Sequence, residues 1–474
     1  MPDAIDIAAD AAPALTPFEA PGVRPLPGPL RRPEILLALR ANALRIYGRD
    51  AYRLMSFEAP FFGKRSIFTN EPGSIRHVLV DNAANYTRTP ATFRILRPVL
   101  GNGLFLSEGD DWKFQRRTLA PAFTPRAMAI VARVTATVLD DEIRRLRAEA
   151  VGPHDLMPMI QRIALEVAGR AMFSTVMDRR GPQLRRRFEG YGRDLGRPFP
   201  SDLLLPAGVT GPADVARKIE GRRWLDFVRA MVEQRRRLPR SDGDPRDLFD
   251  LMAEARDPET GRGFDETELR DQFATFVIAG HETTALTILW ALIMLARSPG
   301  LQRAIAEEAS GRDLGPTGAP DHAESLPVAR AVVQETLRLF PPAFLIVRQA
   351  KAADRVGNAD VAEGDLVSIS PYVLQRHQRH WREPTLFDVS RFLPGAKAPE
   401  RFTYLPFGAG PRVCIGAQFS LTEATLVLAR VCREVELGLV DDVAVEPVAV
   451  VTTYPDPVPA FHVRRRRGDA GRSR

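Results

Sequence analysis

The feature that most constrains this 474-residue chain is one apolar run, Phe273–Ala296, FATFVIAGHETTALTILWALIMLA. Its 24 residues are enough to cross a bilayer as a helix. Near its middle, however, stands Gly280-His281-Glu282-Thr283-Thr284, and an ionised glutamate at that depth in lipid is costly. The run therefore reads as a helix that is apolar all round and buried at the centre of a large core. A chain with 45% hydrophobic and 26% charged residues has the composition of a globular protein and enough length to bury such a helix. The break in the pattern matters as well. Gly280 costs about 1 kcal/mol relative to alanine inside a helix, Glu282 costs more if buried without a partner, and local violations of packing rules mark functional sites. His281 and Glu282 begin an H-E-x-x-H zinc pattern, but position 285 is alanine, so a zinc site is not expected there.

Helical periodicity predicts a helix over Pro33–Tyr47 and another over Glu71–Asp81, with Ala51–Phe57 and Arg65–Thr69 between them as an antiparallel strand pair. Helical patterning then runs to about residue 340, interrupted by a Gly/Pro/Arg-rich loop near Gly190–Pro212. Short strands return after Arg348, as at Leu366–Ile369. The expected architecture is mainly α with a smaller β-rich portion (α+β), in one domain over residues 31–463. A flexible Ala/Pro-rich tail is expected over 1–30 and a basic, solvated tail over 464–474.

Only two cysteines are present, Cys414 and Cys432, too few for a disulfide framework or a four-thiolate metal cluster. The net charge of +7 comes from 61 arginines and five lysines spread along the chain, a dispersal that does not predict nucleic-acid binding. The N-terminus carries Asp3, Asp6 and Asp10 and no basic start, so a secretory signal is not expected and a cytoplasmic location is.

Cys414 lies in Phe407-Gly408-Ala409-Gly410-Pro411-Arg412-Val413-Cys414-Ile415-Gly416-Ala417, ahead of a helix predicted over Gln418–Val431. Such a loop sets a sulfur on a tight turn at a helix N-terminus, where backbone N–H groups favour thiolate. Its glycines let a flat or bulky partner approach. Cys432, amid Leu426, Val427, Leu428 and Val431, reads as packing. Three further patterns are weak when taken singly. Glu335-x-x-Arg338 puts an acid and a base on one helix face and reads equally as a surface pair. Trp112-x-x-x-Arg116 could anchor an anion or be one more amphipathic turn, and His377-Gln378-Arg379-His380 reads as an exposed turn rather than a metal site.

Taken together and in this order, the motifs resemble the cytochrome P-450 family of haem-thiolate monooxygenases, of the soluble bacterial kind. Phe407, Gly410, Cys414 and Gly416 match the family's F-x-x-G-x-x-x-C-x-G, and Ala279–Thr284 match its (A/G)-G-x-(E/D)-T-(T/S). Glu335 and Arg338 match its E-x-x-R, Phe387–Phe392 resembles the segment that adds a second arginine, and Trp112 and Arg116 match W-x-x-x-R. The likeness spans roughly residues 33–460, and Ser420 departs from the alanine that is common there.

The resemblance implies a triangular helical fold with haem b between the long central helix and the cysteine-loop helix. It makes Cys414 the iron ligand. Phe407, Gly408, Gly416, Ala279 and Gly280 would lie against the macrocycle, with Trp112, Arg116, Arg348 and Arg412 near its propionates. Glu282 and Thr283 would deliver protons, and Glu335, Arg338 and Arg391 would be structural. It implies oxygen insertion from O2 into a hydrophobic substrate such as a fatty acid, terpenoid or aromatic. Substrate contacts are expected from the loop Tyr86–Leu106 (Phe93, Ile95, Leu96), from Phe199–Val209 (Leu204), from Ala343–Val347 (Phe344, Leu345), from Ala279 and Thr283, and from Thr453 in the turn near Thr452–Tyr454. With no flavin or iron–sulfur region visible after residue 460, electrons from NAD(P)H are expected through a ferredoxin and its reductase. A monomer without a membrane span is expected. A non-catalytic haem sensor or carrier, a peroxide-using or isomerising relative, and a cysteine-nucleophile hydrolase with His281 as base are the competing readings.

Overall fold

The structure, a computed structural model, describes residues 15–28, 30, 32–61, 64–148, 152–174, 191–206, 208–237 and 247–466. Residues 1–14 and 467–474 of the expected tails lie outside these, as does the side chain of Leu204. Among the described residues there are ten helices of ten residues or more: α1 (Arg32–Ala41), α2 (Pro90–Leu100), α3 (Gly109–Leu119), α4 (Pro125–Ala148), α5 (Met157–Phe173), α6 (Pro212–Arg236), α7 (Glu266–Ala296), α8 (Pro299–Ala309), α9 (Pro327–Leu339) and α10 (Ala417–Glu434). The helical majority with a smaller β portion is as the sequence predicts.

The central helix α7 starts on a reciprocal cap. The Asp265 carboxylate accepts from Glu268 N at 2.8 Å, and the Glu268 carboxylate accepts from Asp265 N at 2.9 Å. From Leu269 to Leu295 nearly every side chain is buried, against α5, α9 and α10. By length and composition α7 could cross a membrane, but 72% of its most apolar window is buried inside the protein, which is the core-helix outcome. Trp290 stacks on Phe340 with centroids 3.9 Å apart and planes 3° from parallel, locking α7 to the end of α9.

The main sheet combines β2 (Ser56–Phe61), β3 (Lys64–Thr69), β4 (Tyr86–Thr87), β6 (Ile346–Ala350) and β9 (Leu366–Ile369) in the order β2-β3-β9-β6-β4, while β5 (Pro153–His154) joins a C-terminal sheet and β7 (Asp354–Val356) pairs with β8 (Ala359–Val361). The expected hairpin is present as β2 and β3, with its first strand shifted downstream because Arg49–Tyr52 form a 3₁₀ turn. The predicted helix over Glu71–Asp81 is a short helix followed by a wider turn. The stretch Tyr86–Leu106, expected as a loop, carries the eleven-residue helix α2. Its start is set by the Thr89 hydroxyl, which accepts from Thr92 N.

Two boundaries also differ. The described part of the expected N-terminal tail is packed: β1 (Phe18–Glu19) pairs with β10 (Leu386–Phe387), Ala20 and Val23 are buried, and Val23 N donates to the Tyr372 hydroxyl. At the other end, Arg464 and Arg465 belong to strand β14 (Phe461–Arg465), which pairs with β11 (Val435–Leu439). Backbone pairing explains both, since it draws in polar residues that composition alone assigns to solvent.

Candidate active site

The cysteine loop is held by its own backbone before any side chain acts. Cys414 N donates to Phe407 O at 2.9 Å and Val413 N to Gly410 O at 3.0 Å. Gly410 has φ +72°, and a Cβ there would overlap the Leu79 carbonyl, so this position admits only glycine. The loop ends on Gly416, the N-cap of α10. Cys414 is solvent-accessible, whereas Cys432 on α10 is fully buried in the main core, where burial pushes its thiol up to about 12. That division is the one expected from sequence.

The electrostatics at Cys414 differ from the sequence expectation. Its sulfur is reachable but ringed by protein, and this desolvation pushes the thiol above its usual range. The Gly416 N–H and the Arg116 guanidinium pull the other way but do not prevail. The loop alone therefore does not favour thiolate; a cationic partner for the sulfur has to supply the balance. Among the described residues, the groups that act on this thiol are the Gly416 N–H and Arg116, with no histidine among them. His281 is buried on α7 with Nε2 3.2 Å from Gln161 O, so the base next to the sulfur that a cysteine-nucleophile reading requires is not supplied.

Beside the start of α10, the helix that follows the loop, α7 opens. Within an otherwise sealed helix, Ala279 and Glu282 are exposed and Gly280 and Thr283 half-buried. The Thr283 hydroxyl donates to Ala279 O at 2.6 Å, one turn back. The Glu282 carboxylate accepts from the Thr452 hydroxyl at 2.8 Å; the side chain is reachable by solvent but ringed by protein, and that desolvation raises its pKa despite the bond. Directly after the opening, the Thr284 hydroxyl donates to Ser420 Oγ at 3.1 Å, so the residue that departs from the family pattern ties α7 to α10. A Cβ at Gly280 or at Gly408 would meet no atom within 4 Å; Gly408 is favoured by its φ of +72°, whereas no protein contact dictates Gly280.

The expected arginines converge. Arg116 Nη1 donates to Val413 O at 3.1 Å, and the Arg412 guanidinium lies 4.7 Å over the Trp112 ring. Arg412 also reaches Glu108 at 2.5 Å and Ser107 O at 3.0 Å. Arg348, 3.1 Å from the carbonyl of its neighbour Val347, has its pKa lowered to about 9 by burial and then by the charges of Arg88 and Arg412. Arg412 is likewise lowered to about 10, by burial and then by Arg88. Arg88 was not singled out from sequence; it pairs with Glu108 at 2.9 Å. No local motif marks it, because the pairing spans 20 residues and the site assembles only in three dimensions. Three guanidinium groups thus share one carboxylate, and the surplus positive charge fits an anionic group carrying two carboxylates.

Glu335 and Arg338, readable as a surface pair, are instead wholly buried. Arg338 meets both Glu335 oxygens at 2.7 Å and donates to the carbonyls of Gln375, Pro384 and Leu386. Arg391 Nε lies 3.6 Å from Glu335, and Asp388 N donates to the same carboxylate at 2.8 Å. His377 is buried with Nε2 3.2 Å from Leu54 O, not exposed as expected. Among the described residues no group of three or more His, Cys, Asp or Glu could hold a metal ion, so a metal at Cys414 must bring its other ligands with it. A flat, metal-bearing, dianionic macrocycle meets each requirement: a single protein sulfur ligand, glycines that leave room on both sides, and a surplus of arginine.

The expected substrate residues divide. Phe93 and Leu96 are half-buried on α2 against the main core, and Leu345 is half-buried as well. Phe344 is buried within a separate core cluster, and Thr453 is fully buried with its hydroxyl donating to Pro341 O at 2.8 Å. Both side chains are engaged in packing, and Val451 is the exposed residue of that turn.

Residues 57–451 match the cytochrome P-450 family profile. The chain is 32% identical to cyclooctat-9-en-7-ol 5-monooxygenase of Streptomyces melanosporofaciens, over 77% of this chain and 79% of that one. It is 33% identical to cyclooctatin synthase of the same organism, over 76% and 78%, and 28% identical to pentalenene oxygenase of Streptomyces avermitilis, over 84% and 85%. A triply substituted haem domain of cytochrome P-450DA superposes with a TM-score of 0.78 at 25% identity, covering 94% of this chain and 98% of that one. Together with the cysteine loop and the opened helix, these matches establish that the chain belongs to the cytochrome P-450 family and is a cytochrome P-450 monooxygenase.

Proposed function

We propose that this enzyme inserts one oxygen atom of O2 into a terpenoid, by hydroxylation or epoxidation, with Cys414 as the axial ligand of haem b. The carrying observation is the pairing of an accessible cysteine loop with the opening at Ala279–Thr283, set beside an arginine surplus. Haem with a thiolate ligand supplies the activation of dioxygen. The protein's part is to hold that group and meter protons. Arg116, Arg348 and Arg412 would bind the two propionates, with Arg88 reinforcing the field and Trp112 carrying Arg412. Gly280 and Gly408 would admit the macrocycle, and Phe407 and Gly416 would frame the sulfur. The Thr283 hydroxyl can release Ala279 O and turn toward the cleft, and Glu282 beside it can exchange protons with water. Both groups favour a monooxygenase over a haem carrier, which needs no proton path, and over peroxide-using or isomerising relatives.

The terpenoid assignment is supported by the names of the Streptomyces relatives and by the apolar side chains Phe93 and Leu96 on α2. A binding titration of terpenoids, fatty acids and aromatics, read as a shift of the Soret band, tests it. Cyclic terpenoids should give the largest shifts; saturation only by fatty acids or aromatics would overturn the assignment. Electrons would come from NAD(P)H through a ferredoxin and its reductase in the cytoplasm, and a plant-type ferredoxin should support turnover.

Thr283→Ala tests the proton role. Product formed per reducing equivalent should fall on the order of tenfold to a hundredfold, the range a positioned proton donor commands, with peroxide released in its place. Tight coupling in that variant would remove Thr283 from the mechanism.

A further inference from the structure

We infer that Thr452 is a positioning residue for the Glu282 carboxyl, tying it to a rigid strand tip so that Oε2 is the oxygen left to exchange protons. The inference rests on the proton role proposed for Glu282 and deepens it. Glutamate has three rotatable side-chain bonds, and an exposed one samples many rotamers. Glu282 is instead held by the Thr452 hydroxyl, which donates to Oε1 at 2.8 Å. Among the described residues, no hydrogen bond is recorded to Oε2.

The holder is itself fixed. Thr452 lies in the turn between β12 (Glu446–Ala449) and β13 (Thr453–Asp456), which pair antiparallel. The next residue, Thr453, makes three bonds: its N–H donates to Pro342 O at 3.3 Å, its hydroxyl to Pro341 O at 2.8 Å, and its carbonyl accepts from Trp290 Nε1 at 3.2 Å. Trp290 is on α7 itself, two turns beyond Glu282, and is clamped by Phe340. The strand tip is thus bolted to the same helix that carries the acid. Thr452 is β-branched and nearly buried, so its own rotamer is restricted.

The chemistry follows from which oxygen is engaged. A hydroxyl that donates to Oε1 makes that atom the carbonyl oxygen of the neutral acid and leaves the acidic proton on Oε2. Desolvation raises the pKa of this carboxyl, and the neutral acid is the form present below that pKa. The carboxyl is therefore presented in one orientation, with its transferable proton on the side away from the strand tip.

The test uses the holoenzyme, with Thr452→Val removing the hydroxyl at nearly constant volume and Thr452→Ser retaining it. At a pH low enough to protonate the carboxyl, the carboxylic C=O infrared band of Glu282 is assigned by its loss in Glu282→Gln. In Thr452→Val that band should move to higher wavenumber and broaden, and coupled product from the terpenoid giving the largest Soret shift should fall about fivefold, the effect of one ordinary hydrogen bond. Thr452→Ser should restore both. A wild-type band and wild-type coupling in Thr452→Val would overturn the inference, as would failure of the serine variant to rescue. If Glu282→Gln leaves coupling unchanged, the proton role fails instead, while the band position still decides whether Thr452 holds the carboxyl.

Discussion

Replacing Arg338 with methionine should destabilise the protein by about 3–5 kcal/mol, the range for removing one partner of a buried ion pair. Against a total stability of roughly 5–15 kcal/mol, that is enough to abolish accumulation of folded protein or leave it unable to retain haem. Both Arg338 and Glu335 are fully buried, so the loss leaves an uncompensated carboxylate. It also leaves the carbonyls of Gln375, Pro384 and Leu386 without their donor. Glu335 in turn accepts from Asp388 N and faces Arg391, so the damage spreads into the segment ahead of the cysteine loop. Arg391→Met should cost less, because that side chain also donates to the Arg382 and Glu383 carbonyls at the surface and sits 3.6 Å from the acid. Denaturant unfolding and haem content measure both variants. An Arg338→Met protein of wild-type stability would contradict the structural role.

Cys414→His should keep the fold and lose the function. The loop is closed by backbone bonds from Cys414 N and Val413 N, which the substitution spares, and the arginine cluster that would hold the propionates is untouched. Haem should therefore still bind, now through imidazole. Monooxygenase activity should fall more than 100-fold, since groups that merely orient a metal ligand already command about 10–100-fold and a thiolate is what favours O–O cleavage. Retention of activity and of a thiolate-type spectrum would show that Cys414 is not the ligand. Cys432→Ser serves as the control. Its thiol is buried in the core, and the variant should change stability modestly without moving the spectrum.

How far the site could be read from sequence depended on how local each feature is. The central helix was legible because its apolar run is continuous and its break, Ala279–Thr284, lies inside it. The cysteine loop was legible because one contiguous segment carries the glycines, the proline and the sulfur. Glu335 and Arg338 share a helix face, but their burial could not be inferred from spacing, since what buries them comes from Gln375–Leu386. Arg88 and Glu108 escaped notice because nothing near either in the chain marks the other. The bond between Thr452 and Glu282 spans 170 residues and had no sequence signal at all. The packing of residues 15–28 was missed for a related reason. Their Pro/Gly-rich composition suggests a tail, while their hydrogen-bond partners Thr385, Tyr372 and Arg49 lie elsewhere in the fold.

The most direct test of the central claim is the absorption spectrum of the purified, haem-loaded protein after reduction under carbon monoxide. A thiolate donated by Cys414 predicts the strongly red-shifted Soret band of thiolate-ligated haem, absent in Cys414→His and present in Cys432→Ser. A Soret band at the position typical of histidine ligation, or failure to take up haem, would contradict it.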